Sequence, residues 1–149
     1  NDTPTTKTYT PPLLRALPTQ RPPVTPAQLQ ALAQQLHAAL AQGRREQAES
    51  CCEWLVAHDA QQPRHWRCLA RLAQERGDAS LALKSWHMVR RLEPDSLEAL
   101  FQIGCCHALK DEPAQAYMAF DAVAKMPTAA LALRRRAARL AELVDPIDI

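Results

Sequence analysis

The sequence predicts an all-α protein built from three tandem helical hairpins and a C-terminal capping helix. Two observations support this prediction. First, a pattern of apolar residues recurs at intervals of about 34 residues, starting at Leu29, Pro63 and Leu97. Second, the prolines from Pro63 to Pro127 fall between apolar segments, where helices are expected to begin or end. An amphipathic hairpin cannot bury its apolar face alone, so a fold of this kind requires neighbouring copies in register.

Residues 63–96 show the pattern most clearly. Their first predicted helix places apolar residues three and four positions apart, on one helix face: Trp66, Leu69, Ala70 and Ala73. The second predicted helix repeats this spacing with Ala82, Trp86 and Val89. Gly77 is expected at the turn between them, because glycine adopts a positive φ at low cost.

The flanking units repeat this arrangement. In residues 29–62 the predicted core positions, around a turn at Gly43, are Leu32, Leu36, Ala39, Ala48, Cys52 and Leu55. In residues 97–128 they are Leu100, Ile103, Gly104, His107, Ala116, Phe120 and Val123. Here Asp111 and Glu112 replace the usual glycine turn, and Pro113 is expected to begin the second helix. Thr25 and Pro26 predict the start of the first helix of the chain.

This pattern resembles the tetratricopeptide repeat over residues 29–127, and the resemblance implies a short right-handed solenoid. The predicted domain, residues 29–144, contains repeats 29–62, 63–96 and 97–128 and a capping helix over 129–144. The capping helix carries an apolar stripe with arginines opposite it, and the predicted stripe residues are Leu131, Ala137 or Ala138, Leu140, and Leu143 or Val144. Those arginines are either a solvated outer surface or a docking patch for anions. Residues 145–149 are a short tail.

Residues 1–28 differ in composition from the rest of the chain. They hold seven of its twelve prolines, which favours extended or disordered chain over helix. An apolar patch at residues 12–18 lies within this segment. We interpret the patch either as part of a flexible tail or as a segment that docks in a groove, in the same copy or a neighbouring one.

Composition and motifs argue against several classes of function. The net charge of +2 gives no indication of a nucleic-acid partner. No apolar run approaches the roughly 20 residues of a membrane-inserted helix. No phosphate-binding loop, zinc-protease or serine-hydrolase motif occurs, so we expect neither an enzyme nor a cofactor. The five cysteines show no CxxC spacing, and we interpret them as buried thiols in a reducing compartment rather than metal ligands.

A peptide-binding groove is predicted on the side of each first helix that faces away from the core. Stacked hairpins curve, so these positions are expected to line a concave surface. The candidate groove residues are His37, Leu40, Arg64, Arg67, Arg71, Gln74, Phe101 and Cys105. The row of three arginines is either solvated surface or a set of donors to the carboxylates or main-chain carbonyls of an extended peptide.

Two segments point to a more specific relationship. The third repeat, IGCCHALKDEPAQAYMAFDAV, and the last helix, ALRRRAARLAELVD, resemble those of the class II chaperones of bacterial type III secretion. These chaperones escort translocator proteins, and they hold a proline-flanked segment of the client in a concave groove. The resemblance implies a cytoplasmic virulence chaperone with a protein client, and it leaves a homodimer open. It also implies that Leu40, Arg67, Arg71, Phe101 and Cys105 line the groove.

Other functions remain open on the sequence alone. A chaperone that grips the amphipathic helix of a secretion needle subunit is one alternative. A scaffold module of a larger assembly protein is another. A clamp for heat-shock chaperone tails is disfavoured, because the positions where such repeats carry a Lys/Asn combination hold Ala33 and His37.

Overall fold

The computed structural model describes residues 23–147, which contain seven α-helices and no strand. The helices are α1 (Pro26–Ala41), α2 (Arg45–His58), α3 (Pro63–Arg76), α4 (Ala79–Leu92), α5 (Leu97–Leu109), α6 (Pro113–Ala124) and α7 (Leu131–Val144). Within each of its two units, consecutive helices pack against each other. The helical content confirms the predicted all-α class. The chain forms two compact units, with α1 and α2 in the first and α3 to α7 in the second. The apolar patch at residues 12–18 lies outside the described residues.

Helix starts follow the signals in the sequence. The Thr25 side chain accepts a hydrogen bond from the Gln28 amide, and the Gln28 side chain accepts one from the Thr25 amide. This reciprocal cap satisfies two donors that the first helical turn leaves without intrahelical partners. Proline occupies the first turn of α1, α3 and α6, where its missing N–H costs no helical hydrogen bond. Asp78 and Ser96 cap α4 and α5 through side-chain oxygens.

The turns within the three hairpins all use a residue with positive φ. Gly43 has φ of 69° and Gly77 has φ of 85°. In the third hairpin Asp111 takes this conformation, with φ of 58°. Aspartate is one of the few non-glycine residues that tolerate the left-handed region. The third turn therefore keeps the geometry of the other two without a glycine, as its position before Pro113 suggested.

The core of the second unit follows the predicted pattern with three exceptions, on α3, α5 and α7. On α5 the predicted core residue His107 is only partly buried, and the neighbouring Cys106 is buried instead. Trp86 and Phe120 are among its largest fully buried side chains. Trp66, however, is only half-buried at the edge of the core, whereas the neighbouring His65 is buried. In α7 the predicted stripe residue Leu131 is 53% exposed, and the side chains packed on the core are Leu133, Ala137, Leu140, Ala141 and Val144. Ala137, Leu140 and Val144 thus lie where the stripe was predicted, whereas Leu133 takes the place expected for Leu131.

The first unit buries all six of its predicted core positions, on α1 and α2. It also contains one aromatic stack, in which the rings of Trp54 and His58 lie 4.1 Å apart. All five cysteines lie in the described part of the chain, and none is in a disulfide. Among residues 23–147, no helix is long and apolar enough to cross a membrane.

Candidate peptide-binding site

The central part of the predicted arginine row pairs with carboxylates of the same chain. Arg67 on α3 forms ion pairs with Glu93, at the end of α4, and with Glu98 on α5. Its Nε lies 3.2 Å from Glu98 Oε2, and Arg71 pairs with the other oxygen of Glu98. The hydrogen bond to Glu93 raises the pKa of the Arg67 guanidinium above its ordinary value. Two arginines and two glutamates make this cluster formally neutral, so the row attracts anions less than the sequence suggests.

Beyond these ion pairs, two side-chain amides join α3 and α5 nearer to the carboxyl ends of the helices. Gln74 Nε2 donates a hydrogen bond to Gln102 Oε1 at 2.8 Å, and it also lies 3.8 Å from the Cys106 sulfur. Gln74 is one of the predicted groove residues, whereas Gln102 is not. The available signal was its spacing, since Gln102 lies four residues after Glu98 and so on the same side of α5.

Phe101 lies beneath the surface rather than on it. The side chain is 3% exposed, and its ring packs on the ring of Phe120 with centroids 5.5 Å apart. The guanidinium of Arg136, from α7, lies 5.1 Å from the centroid of the same ring. Cys105 is half-buried beside it, and burial raises the pKa of its thiol while the positive charge of Arg136 acts in the opposite direction. Arg136 therefore belongs to this surface, although the sequence placed it on the outer face of α7.

The second unit brings six of the eight predicted site residues onto α3 and α5. We call the surface formed by Arg67, Arg71, Gln74, Glu98, Phe101 and Cys105 the binding face. Arg64 is exposed in the first turn of α3. The remaining two residues, His37 and Leu40, lie on α1 in the first unit, where both are exposed. The role of these eight residues in peptide binding stays a prediction.

The side chains of the binding face can exchange hydrogen bonds with a polypeptide. Its side chains offer guanidinium and amide donors, carboxylate and amide acceptors, and one aromatic ring. Among the described residues, no group of three or more histidine, cysteine, aspartate or glutamate side chains is arranged to hold a metal ion. An extended peptide can exchange main-chain hydrogen bonds with such groups, and its side chains can fill the spaces between them.

The sequence matches no protein-family model and no curated protein. Solved structures, in contrast, resemble the chain over most of its length. The chaperone PcrH bound to the chaperone-binding region of PopD matches with a TM-score of 0.69 and 21% identity, covering 85% of this chain and 97% of that chain. Yersinia enterocolitica SycD, solved with a peptide of the translocator YopD, matches with a TM-score of 0.71 and 18% identity, covering 84% and 98%. This chain has the same fold as these two proteins.

The likeness extends to tetratricopeptide domains with other peptide ligands. The first such domain of Spaghetti, bound to the HSP90 peptide SRMEEVD, matches with a TM-score of 0.66 and 12% identity, covering 82% of this chain and 97% of that chain. The predicted repeat architecture is therefore confirmed. Because the same fold holds peptides of different kinds in these structures, the client of this chain has to be argued from its own residues.

Proposed function

We propose that this protein is a chaperone that binds an extended or helical segment of a type III secretion translocator. The observation that carries this proposal is the shared fold with PcrH and SycD, whose structures hold peptides of the translocators PopD and YopD. The protein would act in the cytoplasm, without catalysis, before its client is exported. By covering an apolar segment of the client, it would keep that segment from aggregating or inserting into a membrane.

The residues of the chain favour this client over a heat-shock chaperone tail. A tail that ends in carboxylates needs cationic and amide donors at fixed positions. The corresponding positions on α1 hold Ala33, which has no polar side chain, and the exposed His37. In the second unit Arg67 and Arg71 already pair with Glu93 and Glu98. A strongly acidic peptide would be repelled by those carboxylates, whereas the neutral main chain of an extended segment would not be.

The binding face explains how such a segment would be held. The ion pairs between α3 and α5 are partly exposed, and exposed pairs contribute only about 0–1 kcal/mol each. They can therefore rearrange to accept main-chain carbonyls at little cost. Gln74 and Gln102 can donate to and accept from a peptide backbone. Affinity would then come from many modest contacts along the segment.

Co-expression tests the proposed function. If the proposal holds, a translocator is expected to be encoded beside this chain. It should be insoluble alone and should co-purify as a soluble complex when both are expressed, with light scattering giving the stoichiometry. A complex with a needle subunit instead would support that alternative. If the translocator stays insoluble and no complex forms, the proposal is wrong.

A pair of matched variants tests the binding face. Arg67→Gln/Arg71→Gln is expected to weaken the complex about tenfold or more, because two donors to the client are lost. The control is Lys84→Gln/Arg91→Gln, which removes the same charge from exposed positions on α4. If both double variants weaken the complex equally, the effect is one of general charge, and the binding face is not where the client binds.

A further inference from the structure

Arg136 differs from the other arginines near the binding face in its charge environment. Arg67 and Arg71 are neutralised by Glu93 and Glu98. Across residues 23–147, Arg136 has no carboxylate in an ion pair, and its contact is with the face of the Phe101 ring. It is exposed on α7, so solvent and ligands can reach its guanidinium. Arg136 is therefore the cation best placed to bind an anionic group at this end of the binding face.

The part of α5 that Arg136 faces determines where such a group would bind. Phe101 and Cys105 lie three and seven residues after Glu98, about 4.5 Å and 10.5 Å further along the helix axis. A ligand carboxylate near Glu98 would be repelled by that carboxylate and would find its arginines occupied. Beside Phe101 and Cys105 it would meet Arg136 instead, whose charge is felt by the Cys105 thiol. Charge complementarity thus favours this end of the face.

The contact between Arg136 and Phe101 is one that a ligand can replace. A cation over an aromatic ring at an exposed site is held weakly, whereas a carboxylate can form two parallel hydrogen bonds with a guanidinium. An arginine side chain has several rotatable bonds, so its head can turn towards a carboxylate without movement of α7. The ring of Phe101, which Arg136 covers and which Phe120 supports from within the core, would then be open to an apolar group.

Resting on the proposed function, we propose that Arg136 is a specificity-determining residue for the client. It binds a carboxylate of the client segment and, in turning towards it, uncovers Phe101 for a large apolar side chain next to that carboxylate. The preferred client segment therefore pairs an aspartate or glutamate with a neighbouring leucine, isoleucine, methionine or aromatic residue. This preference is separate from the main-chain recognition assigned to Arg67, Arg71 and the two glutamines.

Overlapping fluorescein-labelled peptides that cover the neighbouring translocator provide the probe, with fluorescence anisotropy as the readout. The tightest peptide is then resynthesised with each aspartate or glutamate replaced by asparagine or glutamine. One replacement is expected to weaken binding to the wild-type protein about tenfold, as loss of a charge-assisted hydrogen bond does. The Arg136→Gln protein is expected to bind the parent peptide about as weakly as the wild type binds the replaced peptide. It is expected to bind the replaced peptide no more weakly than the parent peptide.

Two further variants make the result specific. Arg136→Lys keeps the positive charge and is expected to retain binding within about threefold. Arg135→Gln removes an exposed charge from the neighbouring position on α7 and is expected to bind like the wild type. Circular dichroism and thermal midpoints establish that all variants are folded.

The outcomes separate the two proposals. If a peptide binds the wild type and Arg136→Gln equally well, or if the effects of the peptide and protein changes simply add, the role of Arg136 is overturned while the chaperone function stands. If no translocator peptide binds the wild type at all, both proposals fail. Weakening by Arg135→Gln equal to that by Arg136→Gln would also overturn the specific role, because it would show a general effect of charge.

Discussion

Gly104 allows α5 and α6 to approach closely, and replacing it with alanine should destabilise the protein. A Cβ atom added at Gly104 would lie 2.7 Å, 2.8 Å and 3.1 Å from three atoms of the Phe120 ring. Phe120 is 1% exposed, and its ring also packs on Phe101. The ring therefore cannot move aside without disturbing a second aromatic side chain beneath the binding face.

Two opposing effects determine how much Gly104→Ala lowers the free energy of unfolding. Forcing an extra carbon into a packed core costs about 1–3 kcal/mol, and three close contacts with a confined ring place Gly104→Ala near the upper end. Alanine has a higher helix propensity than glycine, which returns about 0.8–1.0 kcal/mol. The net destabilisation is about 1–2 kcal/mol. For a chain of 149 residues this lowers the thermal midpoint by about 3–8 °C.

Urea and thermal unfolding measure this difference, with two companion variants. Ala138→Gly, at an exposed position within α7, gives the propensity contribution alone and is expected to cost about 1 kcal/mol. Adding Phe120→Leu to Gly104→Ala is expected to cost less than the sum of the two single changes, because the shorter side chain relieves the contact. A Gly104→Ala protein as stable as the wild type, or strict additivity in the double variant, would refute the reasoning.

Two further predictions concern titratable groups in the second unit. Partial desolvation, with the nearby charges of His107 and Arg90, lowers the pKa of His87 below its ordinary value of 6.5. As the pH is lowered, the unfolded chain therefore binds a proton at His87 more readily than the folded chain does. The free energy of unfolding should then decrease as the pH is lowered from 7.5 to 5.5. An equal decrease in the urea midpoint of the His87→Gln variant would contradict this prediction. Burial raises the pKa of the Cys106 thiol to about 11, so at pH 8 only about one molecule in a thousand carries the thiolate. Iodoacetamide should therefore leave Cys106 unmodified in the native protein but alkylate it in urea, and mass spectrometry showing native alkylation would contradict the prediction.

Much of the fold follows from local sequence signals, because each hairpin repeats the same packing. The spacing of small and large apolar residues identified the buried positions on α4 and α6, including Trp86 and Phe120. The Thr25 cap and the prolines identified where helices begin. Even the turn without glycine was placed correctly, because Asp111 precedes a proline that can only begin the next helix. These signals act over a few residues, so a single sequence contains them.

The binding face was predicted less well, because its chemistry depends on side chains that are distant in sequence. A helical wheel shows which side of α3 carries the arginines, but the partners of Arg67 lie 26 and 31 residues further along the chain. The helical pattern of α7 likewise gives no indication that Arg136 lies over Phe101. The exposure of Leu131 and the packing of Leu133 have the same origin, since the neighbouring helix decides which side of α7 is covered.

The core and the binding face of the second unit are linked by direct contacts between side chains. Gly104 sets how closely α5 approaches Phe120, Phe120 supports the ring of Phe101, and Phe101 lies under Arg136. A change at the first of these positions therefore reaches the last through close-packed side chains that cannot deform independently. The small residue at position 104 then does more than permit helix packing. It also helps to position the Phe101 ring beneath the Arg136 guanidinium, which is the contact that the proposed client side chain would replace.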